Sequence, residues 1–295
     1  MKADLHTHTH HSDGTFSPKE LVARAKAAGI TVLSITDHDS VAGIAEAKLS
    51  AGKDLEIIPG VEITVAFRDR ELHILGYGLD VENPELTAFF SRMQVYRVDR
   101  IKRMIERLNA KGISVTFEEV ARIAGTGSIG RPHLAEVLVK RKFVKNLQEA
   151  FEKHIGDHAP CFVKGATLTP AQAVALIRGA GGVSSLAHPY RIVADAWIPE
   201  LVADGVQGIE AYHSDQEGSI AERYRRIAEK HGLLVTGGSD CHGLRKMKGP
   251  LIGTVAVPEE CIVRLKEAIW KQQGSVRPEP VEGRTNMDHP STSSG

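Results

Sequence analysis

Short apolar, β-branched runs recur along this chain, and helical patterns lie between several of them. The runs fall at residues 2–6, 32–36, 56–62, 72–77, 183–187, 206–210 and 233–236. Strands that alternate with helices imply a mostly parallel sheet, either open or closed into a barrel. The helix boundaries carry chemical signals of their own. Ser17-Pro18-Lys19-Glu20 is a capping box with proline at its first turn, so it opens a helix to about Ala28, where Gly29 stops it. Thr169-Pro170-Ala171-Gln172 repeats the signal ahead of a helix closed by Gly179, and a further helix is expected over residues 217–231, before Gly232.

Residues 84–158 break this rhythm and read as mostly helical. A long amphipathic helix rich in Arg and Lys is expected from 84 to 110, and Thr116-Phe117-Glu118-Glu119 caps another. Between them and the next helix lies the flexible loop Gly125-Thr126-Gly127-Ser128-Ile129-Gly130. The implied organisation is a first barrel part at 1–83, a helical insertion at 84–158 acting as a substrate cap, a second barrel part at 159–271, and a disordered tail at 272–295.

Composition excludes several function classes. Lys+Arg and Asp+Glu are equal at 37 each, which argues against a broad nonspecific nucleic-acid binder or a polybasic membrane binder but leaves room for a local anion pocket. The three cysteines, Cys161, Cys241 and Cys261, fit no disulfide framework and no thiolate zinc motif. No stretch approaches the ~18 consecutive apolar residues of a membrane span, and no apolar leader follows the first lysine, so a cytoplasmic protein is expected.

The chemistry lies in where histidines and carboxylates fall. His6 and His8 close the first run, followed by Asp13; Asp37, His38 and Asp39 close the second, and Glu62 the third. His73 lies in the fourth, His188 ends the fifth, and Asp240 and His242 follow the seventh. Active-site groups of parallel α/β folds gather beyond the carboxyl ends of strands, so these residues are expected on one rim. The i, i+2 spacing of His6 with His8, and of Asp240 with His242, points each pair to one face of an extended chain. Imidazole with carboxylate suits Mn²⁺, Fe²⁺ or Zn²⁺, a carboxylate such as Glu62 can bridge two cations, and a hydroxide held between them is a strong nucleophile at neutral pH. A lone histidine at a strand end is more often structural, and it is the joint pattern that favours ligation. His10 and His11 read as solvated or supporting, Cys241 as packing, and His154, His158, His213, His231 and His289 as ordinary histidines.

These residues carry a resemblance. Asp4-Leu5-His6-Thr7-His8 with Ser12-Asp13-Gly14 is similar to the first motif of the PHP family (polymerase and histidinol phosphatase). Ile35-Thr36-Asp37-His38-Asp39 resembles the second, and Pro59-Gly60-Val61-Glu62 with Leu72-His73-Ile74-Leu75-Gly76-Tyr77 the third. Ala187-His188-Pro189 and Gly238-Ser239-Asp240-Cys241-His242-Gly243 resemble the last two, and the likeness covers about residues 1–270. It implies a distorted (β/α)7 barrel binding two to three divalent metals. One would take His6, His8, Glu62 and Asp240, a second Glu62, His73 and His188, and a third Asp13, His38 and His242. Glu62 and Asp240 are then the catalytic candidates, acting through the metal-bound hydroxide.

Gly130-Arg131-Pro132-His133-Leu134-Ala135 resembles a branch acting on nucleotides, which includes 3′,5′-nucleoside bisphosphate phosphatases and the 5′→3′ exoribonuclease ribonuclease AM. The resemblance implies anion binding by Arg131 and His133, with Arg97 and Arg100 matching a further substrate-contacting stretch. Arg97 and Arg100, one turn apart, suit a phosphate clamp and equally suit a solvated helix face. The expected activity is hydrolysis of nucleotide phosphate esters, on a mononucleotide or a short 5′-phosphorylated oligonucleotide. No long nucleic-acid groove is expected, because aromatic residues make up 5% of the chain. A histidinol-phosphate-type phosphatase and a non-catalytic metal-binding module are the alternatives.

Overall fold

The computed structural model describes residues 1–276 apart from 69, 166–167, 192–193, 217, 246–248 and 250. Seven strands form one sheet in sequence order: β1 (Ala3–Asp4), β2 (Val32–Ile35), β3 (Glu56–Phe67), β4 (Arg70–Tyr77), β5 (Val183–Leu186), β6 (Gly208–His213) and β7 (Leu234–Gly238). The sheet curls until its ends nearly meet. Leu5 N donates to Gly237 O at 3.2 Å, and Thr7 bridges to Cys241 in parallel. A Cβ at Gly238 would lie 2.3 Å from His6 N, so the two ends can approach this closely because position 238 has no side chain.

β4 departs from the expected mostly parallel arrangement. It runs antiparallel to both β3 and β5, while the remaining neighbours are parallel. Two positions, 68 and 69, separate β3 from β4, and a parallel return needs a crossover of a dozen residues or more. β3 also runs five residues past Glu62, to Phe67, so Glu62 sits within the strand and the β3–β4 hairpin rises above the barrel. Because β4 starts at the top, its first half lies at the carboxyl rim of the other strands.

Alternation along these strands divides the barrel interior. On β4, Glu71, His73, Leu75 and Tyr77 share one face, and Leu72 and Ile74 share the other with the main core. Leu75 and Tyr77 pack with Ala3, Leu5 and Ile58 and against Ile262, Leu265 and Ile269 of the last helix, forming an apolar base. Histidines and carboxylates are thereby left to the opposite end.

Outside the barrel run α1 (Pro18–Ala27), α2 (Ile44–Ala51), α3 (Pro84–Asn109), α4 (Phe117–Ala124), α5 (Arg131–Lys140), α6 (Leu147–Ala150), α7 (Pro170–Gly179), α8 (Ile198–Ala203), α9 (Gly218–His231) and α10 (Glu259–Val276). The expected capping boxes at Ser17, Thr116 and Thr169 are all formed. The second half of α3 with α4 to α6 buries its own cluster, including Ile101, Met104, Leu108, Val120, Leu134 and Leu138. The helix expected from residue 217 begins at Gly218, with 217 outside the described residues. The tail expected from 272 is corrected at its start, since α10 continues to Val276; residues 277–295, His289 among them, lie outside the described residues. No helix among the described residues is long and apolar enough to cross a membrane.

Candidate metal centre and anion pocket

His6 and His8 follow β1 in extended chain, and His8 N donates to Cys241 O at 2.9 Å. That pairing places both imidazoles beside the loop after β7. His6 Nε2 and His8 Nε2 lie 3.3 and 3.2 Å from Glu62 Oε2, and 3.6 and 3.3 Å from Asp240 Oδ1. The other oxygen of Glu62 faces a different pair: Oε1 is 2.8 Å from His73 Nδ1 and 3.0 Å from His188 Nε2. Asp13 meets His242 at 3.2 Å and His38 at 3.8 Å.

The nine expected metal-site residues therefore meet in one cluster. Its donor groups overlap: His6 and His8 group with Asp240, as in the first expected set, and other groups share members. His8 joins Asp13, His38 and His242; His6 groups with Glu62 and His188; and His38 groups with Glu62 and His73. In each set the donor atoms lie within 4.8 Å of one another. His38 Nδ1 stands 3.2 Å from Glu62 Oε2, yet it makes no hydrogen bond and is buried, as is His188 Nδ1. A buried imidazole nitrogen without a hydrogen bond beside a carboxylate, as at His38, fits a divalent cation.

The electrostatics support the same reading. Burial alone would raise the carboxyls of Glu62 and Asp13, but the surrounding histidines outweigh it and hold both well below the usual carboxylate range. Burial would also strip His8 of a proton, yet Asp240 and Glu62 push it up to about 10. Desolvation outweighs the neighbouring carboxylates at His38 and holds it well below its ordinary value. The cluster calls for positive charge, and a bound cation would supply it with these imidazoles deprotonated.

Residues 37–39 go to three different places. Asp37 accepts Thr9 N at 2.7 Å, Thr9 Oγ1 at 2.6 Å and Ser12 Oγ at 2.6 Å, which fixes the loop that carries Asp13. His38 enters the cluster. Asp39 accepts Arg97 Nε at 2.8 Å on its Oδ2. Asp39, His188 and Asp240 all have positive φ, at 49°, 28° and 51°. Such backbones cost roughly 1–3 kcal/mol each and persist where surrounding contacts over-determine them, as at functional sites.

Glu210 was not singled out from the sequence. Fully buried, it takes His6 Nδ1 on Oε1 at 2.9 Å and the His188 backbone N–H on Oε2 at 2.7 Å. Orienting carboxylates of this kind tune metal ligands. Glu210→Gln is therefore expected to weaken metal affinity by roughly 10–100-fold, measured by titrating metal content against free metal. Unchanged affinity would assign Glu210 to packing alone. His213, read as an ordinary histidine, ends β6 with Nε2 3.4 Å from Asp240 Oδ2. The expected strand stopped at 210, and a register shift between Glu210 and Tyr212 carries the extra residues to the rim.

A cavity of about 260 Å³ opens over the cluster. Its lining includes Asp13, His38, Glu62, His73, His188, Asp240 and His242 of the cluster together with Arg97, Arg100 and Arg131. Arg97 and Arg100 do not lie on a solvated helix face: their side chains are 12% and 10% exposed, pair with Asp39 and Glu71, and line the cavity. Arg191, which the sequence reading passed over, lines it as well. His133 does not line it: 1% exposed, it accepts Gly130 N on Nδ1 at 3.0 Å and braces the loop that presents Arg131. His133 thus stands behind the loop, next to the lining residues Gly130, Arg131 and Pro132.

The PHP domain profile matches residues 4–164. A 5′-3′ exoribonuclease of Haemophilus influenzae is 34% identical over 82% of this chain and 90% of its own length. A 3′,5′-nucleoside bisphosphate phosphatase of Chromobacterium violaceum is 33% identical over 81% of this chain and 86% of its own. Among solved structures, an amidohydrolase from Chromobacterium violaceum, with bound sulfate and no metal, superimposes with a TM-score of 0.83 at 30% identity, covering 91% of this chain and 97% of that one.

Proposed function

This chain belongs to the PHP family, and from that premise we propose that it hydrolyses phosphate esters of nucleotides with two to three divalent cations, Mn²⁺, Fe²⁺ or Zn²⁺, in a cytoplasmic setting. The observation that carries the reading is one cavity lined both by the histidine–carboxylate cluster and by four arginines, Arg97, Arg100, Arg131 and Arg191. The ligands would be His6, His8, Asp13, His38, Glu62, His73, His188, Asp240 and His242. Bound cations would act as Lewis acids toward the phosphoryl group and generate a nucleophile from water at neutral pH. Glu62 faces five histidines through its two oxygens and would fix the spacing of the centre, with Asp240 closing it on the β7 side.

Arg97, Arg100 and Arg131 would hold a second phosphate of the substrate, with residues 84–158 serving as the cap that carries them. Arginine suits that task because its planar fork pairs with phosphate oxygens in two hydrogen bonds. The Chromobacterium violaceum structure holds sulfate, an anion of phosphate's shape. The cavity is small for an enclosed oligomer, and Phe151 is the one phenyl or indole ring among its described lining residues. Both features favour a mononucleotide 3′,5′-bisphosphate or the terminal nucleotide of a short 5′-phosphorylated RNA.

The test is a screen of metal-replete protein against a mononucleotide 3′,5′-bisphosphate, a short 5′-phosphorylated RNA and histidinol phosphate. The nucleotide substrates are expected to exceed histidinol phosphate in kcat/KM by at least about tenfold, the worth of one charged hydrogen bond. Preference for histidinol phosphate would replace this reading with a small-metabolite phosphatase, and no hydrolysis at all would leave a metal-binding module.

A further inference from the structure

Four arginines line one small cavity and repel one another, and something must set the directions of Arg100 and Arg131. Glu71 lies two residues before His73 on β4, on the same face of the strand. Its Oε1 accepts Arg100 Nη2 at 2.8 Å, and its Oε2 accepts Arg131 Nη2 at 3.0 Å. Gly165 N also donates to Oε1, at 2.8 Å. Glu71 is 5% exposed and lines the cavity. Arg100 and Arg131 also stack over the ring of Phe162, at 5.5 and 5.3 Å, so each is fixed from a second direction.

We propose that Glu71 is the positioning residue of the anion pocket: it bridges Arg100 and Arg131 and thereby sets where the substrate's second phosphate binds relative to the metal cluster. The proposal rests on the phosphate-binding reading of the arginines given above. Its physical content is a ruler. One strand carries both the pocket's anchor, Glu71, and a member of the cluster, His73, so the distance between the two is set by two residues of extended backbone. Arg100 comes from the second half of α3 and Arg131 from the start of α5, parts of the insertion whose apolar side chains form their own cluster, while the first half of α3 packs on the barrel. Glu71 ties both to the barrel. With one oxygen facing each arginine, it uses one Nη2 on each, and each guanidinium has further N–H donors to turn to a ligand. The carboxylate also reduces the repulsion between the two cations, so both can face one anion without a substrate to hold them there.

Gly165 offers a way to disturb this bridge without changing its charge. A Cβ there would lie 2.4 Å from Glu71 Oε1 and 3.1 Å from Arg100 Nη1, so it would press on both partners of the bridge. Gly165→Ala would displace the carboxylate while leaving the barrel strands in place.

The experiment measures kcat and KM of wild type, Glu71→Gln and Gly165→Ala on a mononucleotide 3′,5′-bisphosphate and on an aryl phosphate that lacks the second phosphate, with metal content determined for each. Both variants are expected to lose roughly 10–100-fold in kcat/KM on the bisphosphate, mainly through KM. Metal content and aryl phosphate turnover should stay within about twofold. In an Arg100→Ala, Arg131→Ala background, Glu71→Gln should add little further loss, because its effect passes through those side chains. Equal losses on both substrates would make Glu71 a fold or metal residue and overturn the proposal. So would unchanged or improved bisphosphate hydrolysis, which would mean the arginines need no anchor or that the carboxylate competes with the phosphate. If the two arginine substitutions alone leave the bisphosphate preference intact, the phosphate-binding reading itself fails. If they abolish it while Glu71→Gln does not, only the positioning role fails.

Discussion

Glu62→Ala is expected to lower metal content and to reduce hydrolysis of every phosphate ester by on the order of a thousandfold or more, since metal centres contribute several kcal/mol to such reactions. Glu62 is 1% exposed. Its Oε2 stands 3.2–3.3 Å from His6, His8 and His38, and its Oε1 2.8–3.0 Å from His73 and His188. Truncation removes an anion common to all five imidazoles as well as the spacer between them. A cation left at the site would have histidines facing it with less compensating charge. The measurement is elemental analysis of the purified variant together with turnover on a 3′,5′-bisphosphate, with Glu62→Gln as the companion that keeps volume and loses charge. Full metal content and wild-type turnover in Glu62→Ala would overturn the account of the cluster.

The cluster was legible in the sequence for a specific reason. A parallel barrel strand ends at the active rim, so a ligand-type residue after an apolar run carries a position as well as an identity. His6, His8, His38, His188, Asp240 and His242 all follow that rule. His73 does not: it reaches the rim because β4 is reversed, and that reversal comes from a connection of two residues, Arg68 and the one after it, with no glycine or Asn-Gly signal. The resemblance to a known motif, rather than strand periodicity, placed it.

What the sequence left hidden is mostly the support around the ligands. Glu210 closes an apolar run much as Glu62 does, and nothing local separates a carboxylate that faces a cation from one that faces the back of an imidazole. His213 was missed because β6 continues through a register shift, beyond the point where the apolar run ends. The sharing of ligands within the cluster is likewise invisible in the sequence. His8 touches Asp13 on one side and Glu62 on the other, and such sharing follows from rings packed 4.2–5.1 Å apart, a distance no spacing rule supplies. For Arg97 and Arg100, helical periodicity gave a shared face, but only the fold could say that the face looks onto the cavity and is anchored by Asp39 and Glu71.

The second large effect concerns the end of the substrate that carries no reacting bond. Arg97, Arg100 and Arg131 line a cavity that continues onto the cluster, so a nucleotide's 5′-phosphate would rest among the arginines while its 3′ ester lies over the metals. Each charged hydrogen bond lost with the 5′-phosphate is worth about 1.5–3 kcal/mol, and losing two gives on the order of a hundred- to ten-thousandfold. On the proposed function, the same geometry would act as a phosphatase when the 3′ group is a terminal phosphate and as a 5′→3′ exonuclease when it continues into RNA. The direct measurement is kcat/KM of metal-replete protein on 5′-phosphate and 5′-hydroxyl RNAs of equal length, with the order of nucleotide release followed from both ends. The account predicts a preference of at least about a hundredfold for the 5′-phosphate form and release beginning at the 5′ end. Equal cleavage of the two forms, or digestion from the 3′ end, would contradict it.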